Sequence, residues 1–164
     1  MDKLLIPPEI VQIYEDYLSD TIHLNATCKP TEGLLGFGGG PSADVCHDHF
    51  SEHLEQALKD ITDKKPSSEE AGTVLRFVYE APTEYKENNL GYWMMQAVQA
   101  HTDKLICFLS PQDAADLAVW YAEAYPKYVR LPAQNRVLAH LQEQAGESLV
   151  LKKKSLWKRF GGAK

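Results

Sequence analysis

Apolar residues recur at helical spacing along most of this chain, and proline or glycine separates one such segment from the next. The clearest segment follows Ser110, with Pro111 and Asp113 in its first turn. Proline suits that turn because the amide proton it lacks would have no partner within the helix, and an acid there is favoured by the helix dipole. The stretch QDAADLAVWYAEAY keeps the helical period up to Pro126. We therefore predict a helix over residues 111–125.

Two further helical patterns and a glycine-rich connection make up the first part of the chain. The first helix is predicted over PEIVQIYEDYLSDTI, residues 8–22, where apolar side chains are spaced three or four residues apart. Turn-forming residues over 23–40 predict a long irregular connection. The second helix is predicted to begin within residues 41–44, because the proline, serine and aspartate found there suit a helix start.

The next segments carry their own boundary signals. Ser67 and Glu70 form the pattern of a capping box, which predicts the start of a third helix, EEAGTVLRFVYEA, ending at Pro82. The β-branched and aromatic residues of that segment leave a strand as the alternative. LGYWMMQAVQAH is predicted to be a buried helix, with a partner-binding patch as the alternative for GYWMMQ. DKLICFL fits a helix end or a strand, and a last clear helix runs from Pro132 to Gly146.

Together these segments predict an all-α fold. We expect one compact domain of about six or seven helices over residues 1–149, with one short strand pair as the alternative. The basic tail over residues 150–164 is expected to be disordered or a frayed helix. Folding back onto the body of the protein and contact with an anionic membrane surface are the alternatives for this tail.

Charge is unevenly distributed between the body and the tail. Residues 150–164 contain six lysines and arginines and no acid, so the net charge of −6 for the whole chain becomes −12 for the first 149 residues. An acidic body repels nucleic-acid phosphates and attracts basic protein surfaces. The charge pattern therefore argues against nucleic-acid binding and fits a basic protein partner, with an acidic composition that serves only solubility as the simpler alternative.

The cysteines and the first residues of the chain bear on the cellular compartment. The three cysteines, Cys28, Cys46 and Cys107, do not suggest a disulfide framework. The start, MDKLLIPPEIVQIYEDY, lacks the long apolar core and the cleavage site of a signal peptide. We predict a cytoplasmic protein.

A cysteine and histidines lie close together near the predicted start of the second helix. Cys46, His49 and His53 are spaced so that they share one helix face, and thiolate and imidazole are preferred zinc ligands. The standard zinc motifs are absent from the sequence. A metal-dependent enzyme or a metal-binding protein built on these three residues, with zinc as the metal, is the alternative function. Solvent-exposed histidines that bind no metal are the simpler interpretation.

The glycines before this helix and the cysteine near its start suggest two further hypotheses, an anion-binding loop and a nucleophilic thiol. Gly36–Gly40 could cradle an anion, but the stretch matches neither the P-loop nor the dinucleotide-binding pattern, so we expect no nucleotide. A helix start would lower the pKa of the Cys46 thiol, and a nucleophilic Cys46 would then need His101 or His140 as its base.

No complete catalytic, cofactor or nucleic-acid-binding motif is present in the chain, so we expect no cofactor and a protein that binds another protein. The most concrete form of this hypothesis is a bacterial immunity or antitoxin-type protein that neutralises a basic toxin, such as a nuclease, by occluding its active site. The expected partner-binding residues are acids and one tyrosine: Glu52, Glu55, Asp60, Asp63, Glu69, Glu70, Glu84, Tyr85 and Glu87.

Overall fold

The structure, a computed structural model, describes residues 6–27, 43–85 and 90–160 of the 164-residue chain. Eight helices and no strand occupy these residues, so the all-α prediction is confirmed and the alternative strand pair does not occur there. The helices are α1 Pro8–Thr27, α2 Ala43–Asp63, α3 Ser68–Glu84, α4 Leu90–His101, α5 Asp103–Ile106, α6 Pro111–Ala124, α7 Pro132–Ala145 and α8 Glu147–Phe160.

The helices pack around one apolar core. Helix α1 lies on α2, which also contacts α4, while α3 contacts both α4 and α6. Helix α7 lies along α6, and α8 covers another side of α6. Where α1, α2 and α3 meet, the buried ring of Tyr14 makes edge contacts with Phe50 and Phe77, with centroid separations of 5.0 and 5.2 Å. Edge-to-face contacts of this kind add to the stabilisation that burial alone provides.

A buried tyrosine joins α3, α5 and α6. The hydroxyl of Tyr79 donates a hydrogen bond of 2.7 Å to the hydroxyl of Thr102, which precedes α5 and is fully buried. The hydroxyl of Tyr125, at the end of α6, donates to the carbonyl oxygen of Tyr79 at 2.6 Å. Burial raises the pKa of Tyr125 to about 12, so its hydroxyl stays protonated and keeps this donor.

The first turns of α3 and α6 are linked through side chains. The predicted capping box of Ser67 and Glu70 forms at the start of α3. Ser110 caps α6, and its hydroxyl donates to the carboxylate of Asp113 at 2.8 Å. The hydroxyl of Ser68 donates to the same carboxylate and accepts from the amide of Ser110 at 2.6 Å. These hydrogen bonds lower the pKa of Asp113 and hold the two helix starts together.

Two predicted helix boundaries are wrong. Helix α1 continues to Thr27 rather than ending at residue 22, because one turn-favouring residue such as Asn25 costs less than about 1 kcal/mol within a helix. Pro82 lies inside α3, which ends at Glu84. A proline removes one backbone hydrogen bond, but Pro82 is buried against the core and only the last turn follows it.

The basic C-terminal segment is helical. Helix α8 begins at Glu147, so the predicted boundary between residues 149 and 150 falls inside it. It packs on α6 and α7, and the ammonium group of Lys152 pairs with the carboxylate of Asp116 on α6. Across the described ranges, no helix combines the length and the apolar character needed to cross a bilayer.

Gly91 provides a test of the close approach between the end of α3 and the start of α4. A Cβ atom at Gly91 would lie 2.5 Å from the carbonyl oxygens of both Pro82 and Tyr85. We expect Gly91→Ala to lower the free energy of unfolding by about 1–3 kcal/mol, because backbone would have to shift. The measurement is urea denaturation.

Gly72, inside α3, is the matched control. A Cβ atom there would lie 3.6 Å from Cδ2 of Leu109, which is an ordinary contact. Gly72→Ala should therefore raise the free energy of unfolding by up to about 1 kcal/mol, because alanine is the better helix former. Equal effects of the two substitutions would contradict the close approach at Gly91.

Asp113 provides a test of the link between α3 and α6. Because its pKa is lowered in the folded state, its stabilisation is fully present above the ordinary carboxyl pKa and disappears as the pH falls through the lowered value. We expect Asp113→Asn to cost about 1–2 kcal/mol at pH 7, and this difference from wild type to shrink steadily toward pH 2. Glu123→Gln, an exposed neutralisation on the same helix, should show no comparable pH-dependent difference in urea denaturation. A pH-independent cost at Asp113 would exclude a role of its charge.

Candidate functional site

Helix α2 has one buried face and one charged, exposed face. Phe50, Leu54 and Leu58 recur at helical spacing and enter the core. The side chains on the opposite face are polar and exposed: Asp48, His49, Glu52, His53, Glu55, Gln56, Lys59, Asp60 and Asp63. The apolar stripe thus fixes the rotation of the helix and leaves its carboxylates in solvent.

The predicted metal ligands are divided between two environments. His49 and His53 are exposed and one turn apart, with ring centroids separated by 6.1 Å, whereas Cys46 is half-buried. Within the described ranges, no three histidine, cysteine, aspartate or glutamate side chains are grouped so that they could hold a metal ion. Zinc binding at this helix stays a prediction.

The hypothesis of a nucleophilic Cys46 meets two contrary findings. Burial, together with the nearby charge of Asp20, raises the pKa of the Cys46 thiol, where a helix start was expected to lower it. The two histidines considered as bases have other neighbours. The ring Nε2 of His101 lies 3.2 Å from the hydroxyl of Ser51, and that of His140 lies 3.8 Å from the sulfur of Cys107.

His47, which the sequence analysis did not single out, joins three helices. Its Nδ1 lies 2.5 Å from the hydroxyl of Tyr17 on α1, and its ring stacks on Trp93 of α4 at a centroid separation of 4.4 Å. Burial raises the pKa of Tyr17, so the phenol keeps its proton and can donate it to Nδ1 of His47. The imidazole therefore positions Trp93 against α2.

The segment GYWMMQ is only partly in the core. Met94 is fully buried as predicted, but Tyr92 and Trp93 are 46% and 39% exposed. The two aromatic rings contact each other edge to face at 5.4 Å. They lie beside the start of α2, where Trp93 stacks on His47. We call Tyr92 and Trp93 the aromatic patch.

A groove opens between α1, α2 and α3. It encloses a cavity of about 650 Å³, with an apolar floor that includes Ile10, Ile13 and Ile61. The groove is also lined by polar and charged side chains, namely Glu9, Gln12, His53, Gln56, Asp60, Lys64, Lys65, Glu70 and Thr73. An apolar floor with a few charged groups around it is the usual composition of a binding site.

The predicted partner-binding residues do not form one patch. Glu52, Glu55 and Asp63 lie on the exposed face of α2, and Asp60 and Glu70 line the groove. The remaining described residues lie elsewhere, with Glu69 in a second depression between α3 and α6, and with Glu84 and Tyr85 at the end of α3. Glu87 lies outside the described residues, as do Gly36–Gly40 and Cys28.

Helices α1 and α2 form a strongly acidic pair. Their sequences contain ten aspartates and glutamates and a single lysine, Lys59. The ion pairs found among the described residues join Arg76 to Glu80, His140 to Asp103 and Lys152 to Asp116, so none involves α1 or α2. None of these carboxylates forms a direct ion pair with a lysine or arginine of the described part of the chain, although Lys64 and Lys65 line the same groove as Glu9 and Asp60.

Comparison of the chain with protein-family models, with curated proteins and with solved structures yields no match.

Tyr17 tests the contact that positions the aromatic patch. Tyr17→Phe removes the hydroxyl that bonds to His47, and we expect a loss of about 1 kcal/mol in the free energy of unfolding. The emission of Trp93 should also change, because the imidazole that stacks on it loses its hydrogen bond to Tyr17. Tyr92→Phe, on an exposed ring, is the control and should leave stability unchanged. Guanidinium denaturation followed by fluorescence measures both effects, and an unaltered Tyr17→Phe protein would refute the contact.

Proposed function

We propose that the protein binds another protein through the exposed carboxylates of α2 and the adjoining aromatic patch. The observation that carries this proposal is the acidic pair α1 and α2, which together contain ten aspartates and glutamates and only one lysine. Carboxylates that lack direct ion pairs repel one another across neighbouring helices and lower stability, whereas a cationic partner would replace that repulsion with attraction. The partner is therefore expected to have a basic surface.

The aromatic patch supplies the kind of residues that anchor protein interfaces. Tyr92 and Trp93 are both more than a third exposed, although Met94 and Val98 of the same helix are buried. Tyrosine and tryptophan dominate the energetics of interfaces when carboxylates or other polar groups surround them and exclude water. The stacking of Trp93 on His47 fixes its ring before binding, so less conformational entropy is lost in the complex.

The most concrete form of the proposal is a bacterial immunity protein that neutralises a basic toxin, such as a nuclease. The carboxylates of Glu52, Glu55 and Asp60 would take the place of substrate phosphates in the cationic cleft of the toxin. Binding would occlude the cleft, and long-range attraction would accelerate association. This mechanism requires no cofactor and no catalytic group in the chain itself.

A pair of charge reversals tests the proposal. The partner is first captured from a lysate of the source cells on the immobilised wild-type protein, and is purified. We expect Glu52→Lys/Glu55→Lys to slow association with the captured protein by about tenfold or more at low salt, because electrostatic steering acts on the association rate. The measurement is the association rate constant as a function of NaCl concentration, together with inhibition of any nuclease activity of the captured protein.

Glu123→Lys/Glu143→Lys is the matched control, because it changes the net charge equally at exposed positions on α6 and α7. Its association rate should stay much closer to that of wild type. If the captured protein is acidic, or if both double variants bind alike, the acidic surface of α2 is not the binding site. Trp93→Ala should instead act on the dissociation rate, which distinguishes an anchor from a steering charge.

A further inference from the structure

The turn after α5 and the exposed side of α7 bring a cysteine, a histidine and an aspartate together. The sulfur of Cys107 lies 3.8 Å from Nε2 of His140, and Nδ1 of the same ring lies 3.5 Å from a carboxylate oxygen of Asp103. Cys107 is exposed and His140 is 28% exposed, so both can be reached from solvent. The sequence places His140 33 residues after Cys107, and only the packing of α5 on α7 makes them neighbours.

The order of the three groups matches the requirements for an activated thiol. A carboxylate beside Nδ1 favours the tautomer with its proton on Nδ1, which leaves Nε2 as the proton acceptor. That acceptor is the nitrogen that faces the sulfur of Cys107. The thiol has a second acceptor, the carbonyl oxygen of Asp103 at 3.6 Å, which keeps the sulfur on this side of the turn.

The position of Cys107 is fixed by hydrogen bonds between the turn and α7. The side-chain amide of Gln144 donates to the carbonyl oxygen of Leu109 at 2.7 Å and reaches that of Cys107 at 3.5 Å. Gln144 lies one turn after His140 on α7. The backbone that bears the thiol is thus held to the helix that bears the imidazole.

We propose that Cys107 is a site of reversible thiol–disulfide exchange with low-molecular-weight disulfides. His140 is the general base, and Asp103 is a positioning residue that acts through His140. Exchange requires an accessible sulfur and a proton acceptor, both of which this cluster supplies. Cys46, by contrast, is half-buried and burial raises its pKa.

The exchange step is balanced without any further reactant. The thiol proton moves from Cys107 to Nε2 of His140, and the sulfur attacks one sulfur of the disulfide. A mixed disulfide forms on Cys107, the original S–S bond breaks, and the departing thiolate takes the proton back from the imidazolium. The lone pair of the Cys107 sulfur forms the new S–S bond, the electron pair of the broken S–S bond leaves with the departing sulfur, and an excess of thiol reverses the reaction.

The test uses the full chain and oxidised glutathione at pH 7.4. Intact-mass and peptide-mapping spectrometry give the initial rate of glutathionylation at each cysteine. We expect Cys107 to react at least about tenfold faster than Cys46. His140→Gln should lower the rate at Cys107 by about tenfold or more, because the general base is lost. His49→Gln, which removes an exposed histidine from α2, should leave the rate unchanged.

Asp103 gives a second, independent readout. Asp103→Asn should lower the rate at Cys107 several-fold and Asp103→Glu should restore most of it, a pattern that a loss of local folding would not produce. Because Asp103 is 70% exposed, these variants are expected to fold even if His140→Gln does not. Equal rates at Cys46 and Cys107, or an Asp103→Asn rate equal to that of wild type, would overturn the proposal. The proposed partner binding does not depend on this outcome.

Discussion

The arrangement of several helices depends on the buried hydrogen bond from the hydroxyl of Tyr79 to the hydroxyl of Thr102. Burying a hydroxyl without a partner costs about 1–3 kcal/mol, so α3 must lie where Thr102 can accept this hydrogen bond. Thr102 precedes α5, and the bond therefore fixes the short helix that bears Asp103 and leads to Cys107. The surface cluster of thiol, imidazole and carboxylate is thus tied to a contact deep in the core.

Helices α1 and α2 each contribute apolar side chains to the core and acidic side chains to the surface. The apolar stripe of α2 places Phe50, Leu54 and Leu58 inside, and its exposed face carries five carboxylates and one lysine. The surface of a small soluble domain ordinarily has both signs of charge interspersed. Instead, α1 and α2 together contain a single lysine, whereas α8 alone contains five lysines and arginines, of which Lys152 pairs with Asp116. This separation is the physical basis for expecting a basic partner at α2.

Sequence reasoning succeeded where the signal was local. The capping box of Ser67 and Glu70 and the cap and proline that start α6 form as predicted, because each involves residues within one turn. It failed at Pro82, which remains inside α3. The helix propensity that a proline lowers depends only on the residue and its neighbours in sequence. Burial of Pro82 in the core depends on how other helices pack against α3, which the local sequence does not show.

The sequence by itself determined the fold class, most helix positions and the strongly acidic body, since periodicity, caps and charge are properties of neighbouring residues. Only the tertiary structure decided which side chains meet. It placed Trp93 against His47 and His140 beside Cys107, although residues far apart in sequence carry no mutual signal in a single chain. Contacts between side chains of different helices depend on the rotation of each helix about its axis and on how the apolar faces pack. That packing is determined only when the whole core is filled.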